Sequence, residues 1–398
     1  MRSISLYTEE IDDLKEAADE LFAQAEGFDL GRSTMAILFT EEDTDYPGLY
    51  AVLAEKWKFP IIGCTAMAMF TGREGYCSMG ISVMLLTDDD CEFSVGMTEE
   101  LNKDNHRELI KEKYEEVKSG LSSEPKLVIS YAGMVTEEYN VAGDDLVNTL
   151  SNVCGGIPIY GATASDGFSF NGFRVFCNGS LTRNGLVMAV ISGNISPKMV
   201  CVNSIENKAS FSYEITESKS NMVYRVGNGR FLDTLKKEGM EADKTDVLGD
   251  YILSPFMVSI DKGNGDSVEV ARNLSILNHE TGAGSFLGVM PEGSILTIGL
   301  LNRSDVQDSV DKAFDVMFKE LAASGNKYRT LLCTSCVARF LALASKPEAE
   351  AETYKSRLPE DVTLMGLYAY GEFCPVRGNK TGKEYNMFHN FTFTILAL

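Results

Sequence analysis

Three stretches far apart in this chain share one design, and a chain that repeats itself this way must build repeated layers. Residues 59–66 read FPIIGCTA, residues 157–164 read IPIYGATA, and residues 362–369 read VTLMGLYA. Each is an apolar run that reaches a glycine (Gly63, Gly161 or Gly366) and continues in small or aromatic residues. A strand-like and then a helix-like run precede each one: TMAILF and YPGLYAVLAEKW, KLVISYAG and DDLVNTLSNV, YRTLLCTS and CVARFLALA. Farther upstream, IDDLKEAADELFAQA, RELIKEKYEEVKSGL and SVDKAFDVMFKELAAS carry apolar residues at helical spacing. After a glycine-containing loop each repeat reaches another strand, GISVMLL from 80, GLVMAVIS from 185 and FHNFTFTILAL from 388. The shared order is helix, strand, helix, strand, loop, strand. Self-similarity of this kind signals a duplicated architecture; chance convergence of αβ layers is the alternative.

Residues 207–300 break the pattern. They hold short runs and the turn signals VGNGR (226–230), KGNGD (262–266) and TGAGS (281–285), with one helix expected at RFLDTLKKEGM. At 398 residues the chain exceeds one ordinary core. The expected fold is α/β to α+β: two domains of mixed β-sheet layered with helices, residues 1–220 and 221–398, built from related helix–strand–helix–strand–strand modules.

The formal net charge of −22 repels nucleic acid and anionic membrane surfaces, so neither is expected as a partner. The opening MRSISLYTEEIDDLKEAADEL lacks the apolar core of a signal peptide, and no run reaches the ~18 apolar residues of a membrane helix. The nine cysteines are odd in number, scattered and mostly within apolar runs, which reads as free buried thiols in a reducing compartment. The expectation is a cytoplasmic protein of bacterial type.

The chemistry-bearing residues gather late in the chain. CTSC, Cys333 to Cys336, is the only CxxC and falls where a strand gives way to a helix, a place where a thiol meets the helix's positive end. Redox or nucleophilic chemistry is one reading of it. Structural zinc would need ligands that no second CxxC supplies. Arg339 lies one turn beyond Cys336 in an apolar context, and such an arginine needs a carboxylate or a ligand anion. Glu372 in YAYGEFCP is a directed carboxylate at a strand end, a partner for Arg339 or for a ligand amine. His389 and Asn390 open the last strand; with three histidines in all, a histidine metal cluster is not expected, and a satisfied core histidine is the plain alternative. GATASDGFSF ends its small-residue loop on Asp166 without a P-loop lysine, and GAGSFLG (282–288) has the wrong spacing for a dinucleotide fingerprint. No cofactor is expected.

Cys336-x-x-Arg339, then MGLYAYGEFCP, then FHNFTFTILAL closely resemble the C-terminal half of the FIST (F-box and intracellular signal transduction) family. PIIGCTAMAMF resembles that family's first glycine–cysteine–threonine motif, and GGIPIYGATASDG its mid-chain signature, with Ala162 where the family often has a second glycine. The resemblance covers the chain from about Ser33 and implies an intracellular sensory module for small ligands, amino acids or related metabolites. It also implies a separate signalling protein as partner, of the kinase, chemoreceptor or cyclic-dinucleotide enzyme class, since no output region follows the family pattern here.

On this reading Arg339 takes a ligand carboxylate, Glu372 the amine, and Asn390 donates and accepts. Tyr368 or Tyr370 lines an apolar pocket, and Cys336 and His389 are motif residues beside them. The loops after Gly63 and Gly161, with Cys64, Thr65 and Asp166, form the opposite wall at the interface of the two domains. The chain is then a binding protein rather than an enzyme. A cysteine-dependent enzyme using Cys333 and Cys336 and a ligand-free scaffold remain the alternatives.

Overall fold

Each motif glycine sits on the third strand of its own module in the computed structural model, which describes residues 1–133, 143–325, 327–344 and 346–398. The first module runs β1 (Arg2–Thr8), α1 (Leu14–Gln24), β2 (Ser33–Thr40), α2 (Tyr46–Lys56) and β3 (Ile61–Thr65), then a hairpin β4 (Met69–Thr71) and β5 (Gly75–Cys77), then β6 (Ile81–Asp88). The second repeats that order as β7 (Cys91–Met97), α3 (His106–Ser119), β8 (Pro125–Ala132), α4 (Gly143–Val153) and β9 (Ile159–Thr163). Its hairpin is β10 (Val175–Cys177) with β11 (Ser180–Thr182), and β12 (Leu186–Gly193) closes it. The third opens with β13 (Lys198–Asn203) and is then interrupted by the irregular stretch.

That insertion holds β14 (Asn207–Lys219), β15 (Met222–Val226), β16 (Gly229–Arg230), α5 (Phe231–Lys237) and β17 (Phe256–Gly263), then β18 (Asp266–Arg272), β19 (Leu274–Asn278), β20 (Ala283–Phe286) and β21 (Ile295–Leu300). The third module resumes with α6 (Arg303–Ser324), β22 (Thr330–Cys336), α7 (Val337–Leu343), α8 (Ala349–Arg357) and β23 (Thr363–Ala369). Its hairpin is β24 (Gly371–Arg377) with β25 (Glu384–His389), and β26 (Thr392–Ala397) ends it. The mixed α/β class read from the sequence is the class observed. The expected helix in the insertion is α5, and all three glycine turn signals fall between its strands. Each repeat differs from the expected order in two respects. It begins with an extra strand, and its loop is a hairpin.

Those hairpins do not pair within their own modules. The first core sheet runs β1-β6-β2-β3 and is extended by β10-β11 of the second module. The second runs β7-β12-β8-β9 and is extended by β24-β25 of the third. The third runs β13-β26-β22-β23 and is extended by β4-β5 of the first, so the exchange closes on itself. The insertion forms a fourth sheet, β18-β17-β21-β14-β15-β20-β19, with its own apolar core around Phe231, Phe256 and Phe286.

The exchange explains the glycines. Gly63, Gly161 and Gly366 lie opposite Leu38, Ser130 and Cys333 in the parallel pairs β2–β3, β8–β9 and β22–β23. A methyl group at any of the three would run into that neighbour's carbonyl oxygen. On the other side each glycine faces a phenylalanine of the incoming hairpin: Phe176 opposite Gly63, Phe373 opposite Gly161, Phe70 opposite Gly366. At Gly63 and Gly366 the missing side chain also clears the space in which the incoming ring packs.

Local signals fix the helices. Asp13 caps α1 by accepting from the Lys15 and Glu16 amides, and Asp45 caps α2 just ahead of Pro47. Asn302 and Asp305 form a capping box on α6, and Gly325 ends it at a left-handed φ of 69°. The buried face of α6 joins one large core with the inner faces of all three sheets, including Phe39, Tyr131 and Phe393, whereas α1 and α2 cover the first sheet's other face around Leu38 and Val83.

Candidate functional site

The hairpin β24–β25 is where the three modules stop being alike. Its residues Glu372 and His389 face each other across the hairpin, whereas the equivalent pairs are Met69 with Cys77 and Val175 with Thr182. Two positions that are apolar or small in the other modules therefore carry a carboxyl and an imidazole, and both are buried.

Glu372 is fully buried on β24. Its Oε2 accepts from the Thr392 hydroxyl at 2.7 Å and the Thr392 amide at 3.3 Å, and the Cys336 thiol lies beside the carboxyl. Its Oε1 has no partner among the described residues. Burial pushes its pKa up to about 8 against the partial relief given by Thr392 and His389. His389 donates from Nε2 to the Cys374 carbonyl at 2.9 Å, since a carbonyl can only accept. Burial alone would lower the His389 pKa, but Cys201, the Cys374 carbonyl and Glu372 together raise it. Asn390 donates to the Tyr370 carbonyl at 3.4 Å, and its buried Oδ1 has no partner among the described residues.

A pH dependence follows from Glu372. The folded protein keeps a proton up to about pH 8 that the unfolded chain releases near 4.5, so this group's contribution to stability is present at low pH and is lost as pH rises through that window. Glu372→Gln removes the loss. The variant should gain on the wild type by roughly 1.4 kcal/mol per pH unit between pH 5 and 8, read from urea unfolding across a pH series. A difference that stays flat with pH would mean that Glu372 is not the group holding the proton.

Arg339 is also fully buried, but its partner is Glu350 of α8, at 2.6 Å, and not Glu372. All of its donors are used within the protein. Nε bonds to Ser335 and Glu350, Nη1 to Ser204 and Ser309, and Nη2 to Glu350 and the Val306 carbonyl. Ser204 in turn donates to the Phe391 carbonyl at 2.9 Å, which ties this pair to the strand bearing Thr392.

The remaining expected residues divide into two groups. Asp166 and Tyr370 meet, with the phenol donating to the carboxylate at 2.6 Å. Asp166 also accepts from the amides of Phe170, Asn171 and Gly172 and the Ser169 hydroxyl, and these bonds together hold its pKa down despite burial. Phe170, held at a positive φ, stacks on Tyr370 at 4.8 Å. Cys64 and Thr65 stay at the end of β3. Cys64 is a core thiol whose pKa burial raises, and the Thr65 hydroxyl accepts from the Arg174 amide at 2.9 Å. The loops after the three glycines do meet: the Ser165 hydroxyl accepts from the Met67 amide and donates to the Tyr368 carbonyl.

The CxxC is not a dithiol centre. Residues i and i+3 of a strand point to opposite faces, and Cys333 and Cys336 lie on β22 in two different apolar clusters. Burial raises both thiols, overriding the helix start at Val337 that was expected to lower Cys336. Among the described residues no group of three or more His, Cys, Asp or Glu side chains is placed to hold a metal.

Four participants escape sequence reasoning. Arg272 of β18 is fully buried, forks onto Asp144 of α4 at 2.8 and 3.0 Å, and donates to the Phe388 carbonyl at 3.2 Å, while its Nε has no partner among the described residues. An arginine inside the apolar run VEVARNLSIL was the available signal. Glu350 in KPEAEAETYK reads as a solvated acid, Cys201 in MVCVN as plain core, and Thr392 as one of several strand threonines.

The sequence matches the FIST N domain over residues 34–228 and the FIST C domain over residues 232–375, most of the chain. The chain belongs to the FIST family. FIST domains are associated with signal transduction and small-ligand sensing. The boundary between the two FIST matches falls inside the inserted sheet, and the C domain match stops short of β25 and β26. No curated protein matches the sequence. Among solved structures, one titled a chorismatase is similar at TM-score 0.39 and 9% identity, covering 100% of this chain and 98% of its own. A structure described as a cyanuric acid hydrolase is similar at TM-score 0.33 and 8% identity, covering 75% of this FIST chain and 98% of its own. No helix among the described residues is long and apolar enough to cross a membrane.

Proposed function

We propose that this FIST protein binds a small amino-acid-like metabolite at the β24–β25 hairpin and passes its occupied state to a separate signalling protein. The observation that carries the reading is a set of three buried polar groups around that hairpin: the acceptors Glu372 Oε1 and Asn390 Oδ1 and the donor Arg272 Nε, each lacking a partner among the described residues. Leaving such groups unmade costs about 1–3 kcal/mol each, so a ligand that satisfies them gains that difference. Two acceptors suit an ammonium group, which would also restore the charge on Glu372, and one guanidinium N–H suits a carboxylate. The carboxylate role therefore passes from Arg339 to Arg272.

The site is closed over, so loading it requires the surrounding elements to part, and a ligand that favours one of two arrangements shifts their balance by its difference in affinity. Binding without turnover is the favoured reading because the CxxC thiols are separated and held protonated by burial.

A thermal-shift screen of amino acids, each alongside its decarboxylated amine and its deaminated acid, tests the proposal. The expected hit raises the melting temperature only when both groups are present. Glu372→Gln should then weaken that hit by about 10- to 100-fold in titration calorimetry, as expected for losing a charged hydrogen bond. A panel with no hit, or a hit that binds the variant equally well, would sink it.

A further inference from the structure

Cys201 is the one cysteine of the nine that is partly exposed. It lies on β13, in the third core sheet, while Cys374 lies on β24, in the second. The two strands pack face to face, and the Cys374 sulfur sits 3.8 Å from the carbonyl oxygen of Val200, the residue before Cys201. The two thiols are neighbours across this packing. His389 completes the group: with Nε2 committed to the Cys374 carbonyl, its ring lies beside the Cys201 sulfur, as does Thr392.

We propose that Cys201 and Cys374 form an oxidation site: a hydroperoxide oxidises Cys201, and Cys374 resolves it to a disulfide that staples the second core sheet to the third. Cys374 first, with the His389 ring and Thr392 beside it, holds the Cys201 thiol well below its usual range against burial, whereas burial raises the other eight cysteines. A partly exposed, low-pKa thiol beside a resolving thiol is the arrangement found in redox-sensing cysteines.

The step balances as follows. The Cys201 thiolate attacks the terminal peroxide oxygen, an S–O bond forms, the O–O bond breaks, and the departing alkoxide takes a proton from the His389 imidazolium to leave as an alcohol, or as water from hydrogen peroxide. Cys374 then attacks the Cys201 sulfur. The S–S bond forms, the S–O bond breaks, and hydroxide leaves as water with the Cys374 proton. Two thiols are oxidised and one peroxide is reduced.

Peptide mapping of the full wild-type chain after hydrogen peroxide treatment, without reduction, reads this directly. A Cys201–Cys374 cross-link is expected, and Cys374→Ser should instead accumulate a sulfenic acid on Cys201 that a dimedone probe captures. Iodoacetamide should label Cys201 about tenfold faster than any other thiol in the untreated protein, and His389→Gln should erase that lead. Free thiols at both positions after peroxide, a cross-link elsewhere, or Cys201 labelling no faster than its neighbours would overturn the assignment. The wild-type mapping depends on no variant and on no ligand, so its outcome is separate from that of the binding proposal.

Discussion

Replacing Glu350 by alanine lowers the unfolding free energy by about 3–5 kcal/mol, because it strands a guanidinium that has no route to water. Arg339 and Glu350 both have side chains with no exposure, and they meet at 2.6 Å. Without the carboxylate, Arg339 keeps only neutral acceptors: Ser204, Ser309, Ser335 and the Val306 carbonyl. These satisfy its geometry and leave its charge uncompensated. The ring of Phe393 lies 5.5 Å from the guanidinium and offers a minor further attraction. The double change Arg339→Leu with Glu350→Leu should cost less than Glu350→Ala alone, since both charges leave together. Urea unfolding of the three proteins at neutral pH checks this. A loss below about 1 kcal/mol for Glu350→Ala would show that water or another acid reaches the arginine. The same series separates a structural arginine from a ligand clamp, because a clamp would spare stability and cost affinity.

Deleting residues 392–398 abolishes cooperative folding. The strand removed, β26, lies between β13 and β22 in the middle of its sheet, paired from Lys198↔Ala397 on one side and Leu331↔Ala397 on the other. Its loss opens two strand edges and empties the positions of Phe393 and Ile395 in the largest core, where Phe393 stacks on Tyr354 at 5.1 Å. Losing one such aromatic side chain alone costs about 3–5 kcal/mol. A whole central strand therefore exceeds the roughly 5–15 kcal/mol that holds a typical domain. The expected product is insoluble, or soluble with no sigmoidal melt by circular dichroism. A truncated protein that melts cooperatively near the wild-type temperature would show the strand to be dispensable.

The repeat was legible in the sequence because its markers are local. An apolar run, a glycine and a helix of proper period can be read wherever they occur, and Gly63, Gly161 and Gly366 head them in every copy. The exchange of hairpins was not legible. Strands of three residues such as β4 and β10 are too short to show a period, and nothing local states which distant strand a hairpin joins. Glu372, His389 and Asn390 group as residues of one family motif, and the β24–β25 hairpin is what sets Glu372 opposite His389. The partner of Arg339 was lost because Glu350 stands in an acid-rich segment that resembles a wetted surface, and only tertiary packing buries it. The CxxC misleads for a simpler reason: spacing of three brings two thiols together on a helix and sets them apart on a strand.

Each module supplies two strands to one neighbour and receives two from the other. A polypeptide encoding one repeat alone would therefore show an open sheet edge and a stray hairpin, each the complement of the other. Three copies of such a chain could close the same ring, each hairpin filling the next copy's open edge. Here that trimer is written in a single polypeptide, which frees its three hairpins to diverge. One of them carries Glu372 and His389 where its counterparts carry side chains that do not ionise near neutral pH.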